Sequence, residues 1–358
     1  MKFITLDPET FREFAEHSPF KSFMQTPEIA KYRENNGWTS YFLGVEEQNK
    51  LVAATMLVAK PTFLGKSTFL APGGPLLDFE NHALVTFFLR HLKSFIKAHN
   101  GFCFHIDPYY ELIERDRDGN VIEGGFNHTE SLKLLKNQGF KAKPHSGQPQ
   151  YLFVLDFQDR THEQIFAEMK RNTRNHIRKA EKTGVKVREL KREELNVFKQ
   201  ITESTSKRRN FTDKPLSYYE EMYDLFHKRG EVKFILAEVT TDQATIPLSA
   251  AMFMTYGDEV IYLFSGSDEN YMKEYNAQYL IQWHMIKYAV KQGFKRYNFY
   301  GINGLPDKSQ KDYGIYDFKK GFTSETTGHV VELIGAYETA TNQIFYQLHH
   351  LLSKLKHR

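Results

Sequence analysis

Cysteine is nearly missing from this 358-residue chain: Cys103 stands alone inside the apolar stretch Phe102–Ile106. No disulfide framework can therefore exist, and a reducing compartment fits. Long apolar runs are missing as well. No stretch approaches a membrane span, and the opening residues MKFITLDP lack the apolar core of a secretion signal. The expectation is a cytoplasmic chain, with peripheral contact at the inner face of the plasma membrane left open. Several catalytic signatures are also absent. There is no GxSxG elbow, P-loop or dinucleotide-binding fingerprint, and His349-His350 lies in a helical stretch without an HExxH pattern. No zinc-like spacing of His, Cys, Asp or Glu is found, so no metal is expected.

What the chain does contain is one supersecondary unit used twice. Tyr41–Val45 and Leu51–Ala59 read as a hairpin, followed by a third strand ending in Ala71-Pro-Gly-Gly. A helical stretch from Asn81 to Asn100, a stop at Gly101 and a strand Phe102–Asp107 complete the unit. Lys233–Val239, Pro247–Tyr256 and Val260–Phe264 repeat the three strands, the last leading into Ser265-Gly-Ser. A helix over Tyr271–Gln292, a stop at Gly293 and the strand Phe294–Tyr300 follow. The helix in each unit must bridge two parallel strands, and glycine after it is the usual C-terminal punctuation. Ala277, Leu280, Ile281, His284, Met285 and Tyr288 supply the apolar face of the second helix.

The pattern predicts an α/β (α+β) protein of two domains with mixed sheets, formed by internal duplication, with a cleft between two lobes. The boundary falls near Pro149–Tyr151, after the Gly/Pro/Lys-rich passage Lys141–Gln150. Residues 1–150 with 323–358 make the first domain and 151–322 the second. The helical pattern of Ile344–Lys356 is expected to dock back on the first.

Net charge is only +4, so partners must be read from where charge collects. In KRNTRNHIRKAEK, Lys170, Arg174, Arg178 and Lys182 recur every fourth residue and line one helical face, with Arg171 and Lys179 beside them. Ile165, Met169 and Ile177 are expected to supply the opposite, buried face. Such a stripe is either a solvated surface or a phosphate-binding one. It carries no base-reading motif, so contact with a nucleic-acid backbone or an anionic surface is what it suggests.

Ligands in open α/β sheets gather beyond the carboxyl ends of strands. This singles out Asp107, in Asp107-Pro-Tyr-Tyr110, and the loop that begins at Gly301. Asp-Pro is equally an ordinary turn starter. Downstream, Lys319 and Lys320 stand between Phe318 and Gly321-Phe322, a setting in which at least one lysine is held by packed aromatic rings.

These segments together resemble the FemABX family. The similarity rests on QTPEIAKYRENNGW, APGGPLLD, HIDPY, KRNTRNHIRKAEKTGVKV, SGSDENY, AQYLIQWHMI, YNFYGI and FKKGF, and covers essentially the whole chain. It implies two GNAT-like domains. It also implies transfer of an amino acid (Gly, Ala or Ser) from aminoacyl-tRNA to the side-chain amine of the third stem-peptide residue, a lysine. The acceptor would be UDP-MurNAc-pentapeptide or lipid II, and the donor tRNA would replace any cofactor. By resemblance, Phe318-Lys319 matches the family's Phe-Lys pair, with Lys319 as charge stabiliser and Asp107 orienting or deprotonating the acceptor amine. Arg33 and Lys214, with Lys31 nearby, match positions that grip the precursor diphosphate. Phe102, Tyr262, Phe264 and Gly301 would line the substrate cleft, and Lys170, Arg171, Arg174, Arg178 and Lys182 would face tRNA.

Two departures stand out. Phe102 and Phe264 occupy positions where a small family member has tyrosines. The second hairpin is joined only by Thr240–Thr245, where longer members carry a helical arm linked to tRNA handling. Three rival readings stand beside this resemblance. A GNAT acetyltransferase would need a Q/R-x-x-G-x-G/A loop, which neither Gly73–Asn81 nor Ser267–Ala277 contains. A leucyl/phenylalanyl-tRNA–protein transferase-like activity shares the donor, and a non-catalytic RNA- or precursor-binding protein shares the surface.

Overall fold

The computed structural model describes residues 1–143, 147–310 and 312–356. The chain divides into two compact units. Met1–Glu114, Glu123–Gln150 and Glu332–Arg358 form the first, and Arg115–Ile122 with Tyr151–Val331 form the second.

The first unit contains β1 (Lys2–Thr5), β2 (Thr39–Glu47), β3 (Lys50–Pro61), β4 (Ser67–Ala71), β5 (Gly101–Ile106), β6 (Glu111–Glu114) and β7 (Lys141–Ala142). The second begins with β8 (Tyr151–Asp156) and β9 (Lys186–Glu189). It continues through β10 (Val232–Thr240), β11 (Thr245–Tyr256), β12 (Glu259–Ser267), β13 (Arg296–Ile302) and β14 (Gly328–Leu333). The strand β15 (Tyr337–Ala340) returns to the first unit, whose sheet runs β1-β2-β3-β4-β5-β15-β7. In the second unit the order from β14 is β14-β8-β13-β12-β11-β10-β9.

The two repeats have the same pairing. β2 with β3 and β3 with β4 are antiparallel and β4 with β5 is parallel. β10 with β11 and β11 with β12 are antiparallel and β12 with β13 is parallel. In the first unit the crossover is one helix, His82–Ala98, capped by the Asn81 side chain, which accepts from the Leu84 N–H. It buries Leu84, Val85, Phe88, Leu89, Leu92 and Ile96 against the sheet.

In the second unit the expected single helix is two, Glu269–Tyr275 and Ala277–Lys291. Asn276 breaks them apart by taking left-handed backbone (φ 53°), a conformation asparagine tolerates better than most residues. Of the residues expected on the second helix's apolar face, His284 and Tyr288 are only half-buried, whereas Trp283, Ile286 and Ala289 are buried. Burial wraps around this helix because the sheet lies on one side and the helix Arg171–Lys182 on another.

Two domain limits differ from expectation. The chain returns to the first unit at Glu332 rather than 323, because β14 continues the sheet beside β8. Arg115–Ile122 joins the second unit, where Tyr316 donates to the Arg117 carbonyl (2.8 Å) and Lys320 pairs with Asp118. Within the passage Lys141–Gln150, Pro144–Ser146 lie outside the described residues, as does Lys311 in the loop after Gly301. The helix Gln343–Lys356 packs Phe345 and His349 against Phe63 of the first unit. No helix among the described residues is long and apolar enough to cross a membrane.

Candidate active site

In the second unit the site is built on an irregular strand. β12 and β13 pair only over Glu259–Ile261 and Arg296–Asn298. Beyond that, β12 stays on β11 while β13 shifts register on β8 between Asn298 and Gly301. Tyr300 sits at the irregularity with φ 63°, its N–H held by the side chain of fully buried Asn298 (2.8 Å). Such bulges re-aim backbone groups at the point where pairing ends. Here the carbonyls of Tyr300 and Gly301 turn toward the helix Tyr313–Lys320, and Lys319 Nζ donates to them at 3.2 and 2.5 Å.

The two adjacent lysines have opposite fates. Lys319 is 5% exposed and has no carboxylate partner among the described residues, and burial lowers its pKa to about 7. Lys320 is paired with Asp118, and its ammonium lies over the Tyr316 ring. Phe318 packs edge-on against Tyr279 (4.9 Å) and Phe322 (5.3 Å), so the aromatic frame expected around this motif is present.

The other predicted residues of this unit lie as follows. Tyr262 and Phe264 occupy the part of β12 that has left β13. The Tyr262 hydroxyl donates to Ser265 Oγ (2.5 Å), and Phe264 meets the edges of Tyr218 and Tyr219. Lys214 is exposed, its ammonium 5.5 Å from the centre of the Tyr218 ring. The preceding residue, Asp213, anchors this loop by accepting from Lys199, Thr202 and Tyr219 at 2.6–2.8 Å.

The basic helix spans Arg171–Lys182, with Lys170 as its N-cap. Ile165 and Met169 are buried but belong to the preceding helix His162–Glu168 and its cap, so they do not share a face with Ile177. Much of the stripe is engaged within the unit. Lys170 bridges to Asp317 (2.6 Å), Arg174 donates to the carbonyls of Ala167 and Met169, and Arg178 stacks on Phe166 (5.3 Å). Arg171 and Lys182 are exposed. The helix start abuts the FKKGF motif: Lys170 N–H donates to the Gly321 carbonyl (2.9 Å), and a Cβ on Gly321 would collide with Thr173 Oγ1.

In the first unit, Asp107 follows β5 and accepts from the Gly73 N–H (2.7 Å). Burial pushes its carboxyl up to about 7, against the opposing pull of that N–H and of the nearby Arg33 charge. Arg33 and Asp107, far apart in sequence, therefore act on one another. The Arg33 guanidinium lies 4.8 Å from the Trp38 ring centre, and its buried Nε has no hydrogen-bond partner among the described residues. Lys31 is exposed beside Glu34 (3.8 Å). Asp107 opens on a recess lined also by Pro108, Lys143, Gln150 and Gly335.

The loop carrying Gly73 is held by a residue that sequence reasoning did not single out. Gln25 is fully buried, donates to the carbonyls of Met56 (3.0 Å) and Pro72 (2.7 Å), and accepts from Met56 N–H (2.7 Å). Its place at the head of QTPEIAKY was the only available signal.

Phe102 corrects an expectation. It is fully buried, packed on Phe63 (5.8 Å) and on His349 of the C-terminal helix (5.3 Å), so its ring offers no surface to a substrate. The strand register also assembles a cluster that linear spacing hid. Cys103, His105 and Glu338 bring ligand-type atoms within 4.8 Å of one another. Lys143 already supplies positive charge there, 3.1 Å from His105 Nδ1 and 3.4 Å from Glu338. Burial pushes the Cys103 thiol up to about 12, so it is a poor thiolate ligand or nucleophile.

A model of the FemAB family matches residues 6–243 and 238–354. Aminoacyltransferase FemA of Staphylococcus aureus (strain MRSA252) is 28% identical over 424 aligned positions, which cover both chains in full. A crystal structure of FemX superposes with a TM-score of 0.82 at 21% identity, over 97% of this chain and 99% of that one. A tandem GNAT protein from the clavulanic acid biosynthesis pathway gives 0.53 at 10% identity, over 95% and 98%. The two family-model segments meet at the tight β10–β11 connection, and the alignment with FemA is longer than this chain. Both observations fit a shortened connection at Thr240–Thr245.

Proposed function

Since the chain belongs to the FemAB family and is an acyltransferase of two GNAT-like mixed sheets, we propose that it moves an amino acid from aminoacyl-tRNA onto a peptidoglycan precursor. The acceptor is the side-chain amine of the stem peptide's third residue, and the product is a piece of the interpeptide bridge. The observation that carries this reading is Lys319, a buried lysine with no carboxylate partner among the described residues, held at the point where β12 and β13 part.

An aminoacyl ester is already activated, so this reading calls for no cofactor. The amine nitrogen bonds to the ester carbonyl carbon, the ester C–O bond breaks, and the ribose hydroxyl leaves with a proton that the amine gave up. The enzyme has to position the amine and stabilise the tetrahedral oxyanion. Lys319 supplies the positive charge for that oxyanion. A lysine with a pKa near 7 is poised for this, because its protonated form is favoured as negative charge develops beside it. Asp107, with a pKa in the same range, takes the proton from the acceptor ammonium or orients it. Arg33 and, in the other unit, Lys214 are the positions that match the family's diphosphate-binding residues, and Lys214 is exposed. The exposed Arg171 and Lys182, with the rest of the helix surface, meet the tRNA backbone.

The test offers Gly-, Ala- or Ser-tRNA with UDP-MurNAc-pentapeptide and, separately, with lipid II. Labelled product on one acceptor from one donor supports the reading and identifies both substrates. Binding of precursor and tRNA without transfer under any pairing would assign the protein to binding instead.

A further inference from the structure

Two consecutive carbonyls, those of Tyr300 and Gly301, accept from the Lys319 ammonium at 3.2 and 2.5 Å. A regular strand does not present them so, because its successive carbonyls point to opposite sides. Here β13 carries an extra residue: Asn298 to Gly301 lies opposite Val154 to Leu152 of β8. Tyr300 takes up that residue in left-handed backbone (φ 63°). A bulky side chain keeps this conformation only where its surroundings impose it.

The side chain of Asn298 imposes it. It is fully buried, and its Oδ1 accepts from the Tyr300 N–H two residues on (2.8 Å), a reach that suits asparagine. Its Nδ2 donates to Glu259 Oε2 (3.1 Å), so each end of the amide has a partner of the right kind and the group has one orientation. Glu259, at the start of β12, also accepts from Arg296 (3.4 Å), which pairs with Asp156 of β8 (2.6 Å). This clamp ties β12, β13 and β8 together over the stretch where β12 and β13 still pair. We infer that Asn298 is a positioning residue: by holding Tyr300 in left-handed backbone it aims both carbonyls at Lys319 and sets where that charge stands. Its consequence for turnover rests on the reaction proposed above, whereas its effect on Lys319 is read without substrate.

Asn298→Ala, Tyr300→Gly and the double variant are compared with the parent, each first checked for folding by thermal unfolding. Glycine takes left-handed backbone unaided, so the hold from Asn298 should matter in the parent and not in the Tyr300→Gly background. Loss of the Tyr300 ring is common to both members of the second pair and cancels. Lys319 is followed by NMR of ¹³C-labelled lysine through a pH titration, its signal identified by its absence in Lys319→Met. Asn298→Ala withdraws two acceptors from a buried ammonium. The midpoint, about 7 in the parent, should therefore fall by roughly one unit or more, but by less than about 0.3 in the Tyr300→Gly background. In transfer assays kcat should fall at least about tenfold in the first background and less than about twofold in the second, with KM for both substrates kept. A midpoint that stays or rises, or an equal effect in both backgrounds, overturns the inference. A parent that transfers nothing would sink the proposed reaction and leave the titration to decide this one. Should Asn298→Ala not fold, hydrogen exchange of the Tyr300 amide in the parent decides: slow exchange supports the hold, and fast exchange overturns it.

Discussion

The Lys319 ammonium lies 2.5 Å from the Gly301 carbonyl oxygen, a contact between the helix Tyr313–Lys320 and the irregular end of β13 in which no carboxylate among the described residues takes part. Two backbone carbonyls solvate the charge without neutralising it, so Lys319 remains available to an anion that forms nearby.

Lys319→Met is expected to lower the transfer rate roughly 10²–10³-fold, the usual loss of one oxyanion-stabilising donor. Binding of the precursor, followed by calorimetry, should stay close to the parent value. A variant that retains turnover would remove Lys319 from the chemistry. Lys320→Met provides the contrast, since Lys320 is committed to Asp118.

The pH dependence of transfer should be a narrow bell centred near pH 7. Asp107 must lose its proton to act as a base and Lys319 must keep its own to stabilise the oxyanion, and both change state near pH 7. Single-turnover rates between about pH 5.5 and 8.5 would reveal it. Lys319→Arg should abolish the alkaline limb, because a guanidinium stays charged throughout. A flat parent profile would contradict both assignments.

Asp107 also makes a prediction for stability. Its folded-state pKa is raised from 3.8 to about 7, so the fold holds this proton more tightly than the unfolded chain does. The stability it contributes is complete below about pH 4 and is lost as pH rises through about 7. Asp107→Asn can still accept from the Gly73 N–H. It should therefore gain roughly 1–4 kcal/mol over the parent at about pH 8 and little at about pH 4, as read by urea unfolding. An equal gain at both values would mean that the carboxyl is not buried as described.

Gly321→Ala should destabilise the second unit by about 1–3 kcal/mol, because the new methyl group meets Thr173 on the basic helix. Adding Thr173→Ala should restore part of the loss by making room. Thermal unfolding of the two single variants and the double variant would show the coupling, and simple additivity would count against a contact between the two positions.

Much of the architecture was legible in the chain itself. Repeated strand–helix–strand spacing, glycines after helices and apolar periodicity are local signals, and they placed both β-hairpins and both parallel crossovers. The basic helix was legible for the same reason, since a four-residue recurrence needs only neighbours in sequence. Asn276 was missed because one left-handed residue interrupts a helix without interrupting its hydrophobic pattern.

Tertiary structure alone decided what each side chain can do. Spacing alone says that at least one lysine of FKK is held by aromatic rings without saying which, and only the meeting of Tyr313–Lys320 with the irregular end of β13 buries Lys319 and leaves Lys320 with Asp118. The resemblance puts Phe102 in the cleft, whereas the C-terminal helix covers its ring. Gln25 gained its role from backbone groups of Met56 and Pro72, which pairing of distant segments brings together. Burial, hydrogen-bond satisfaction and pKa all depend on atoms remote in sequence, whereas periodicity and turn chemistry depend on adjacent residues. For this protein the first set determines the chemistry of the site and the second the framework that holds it.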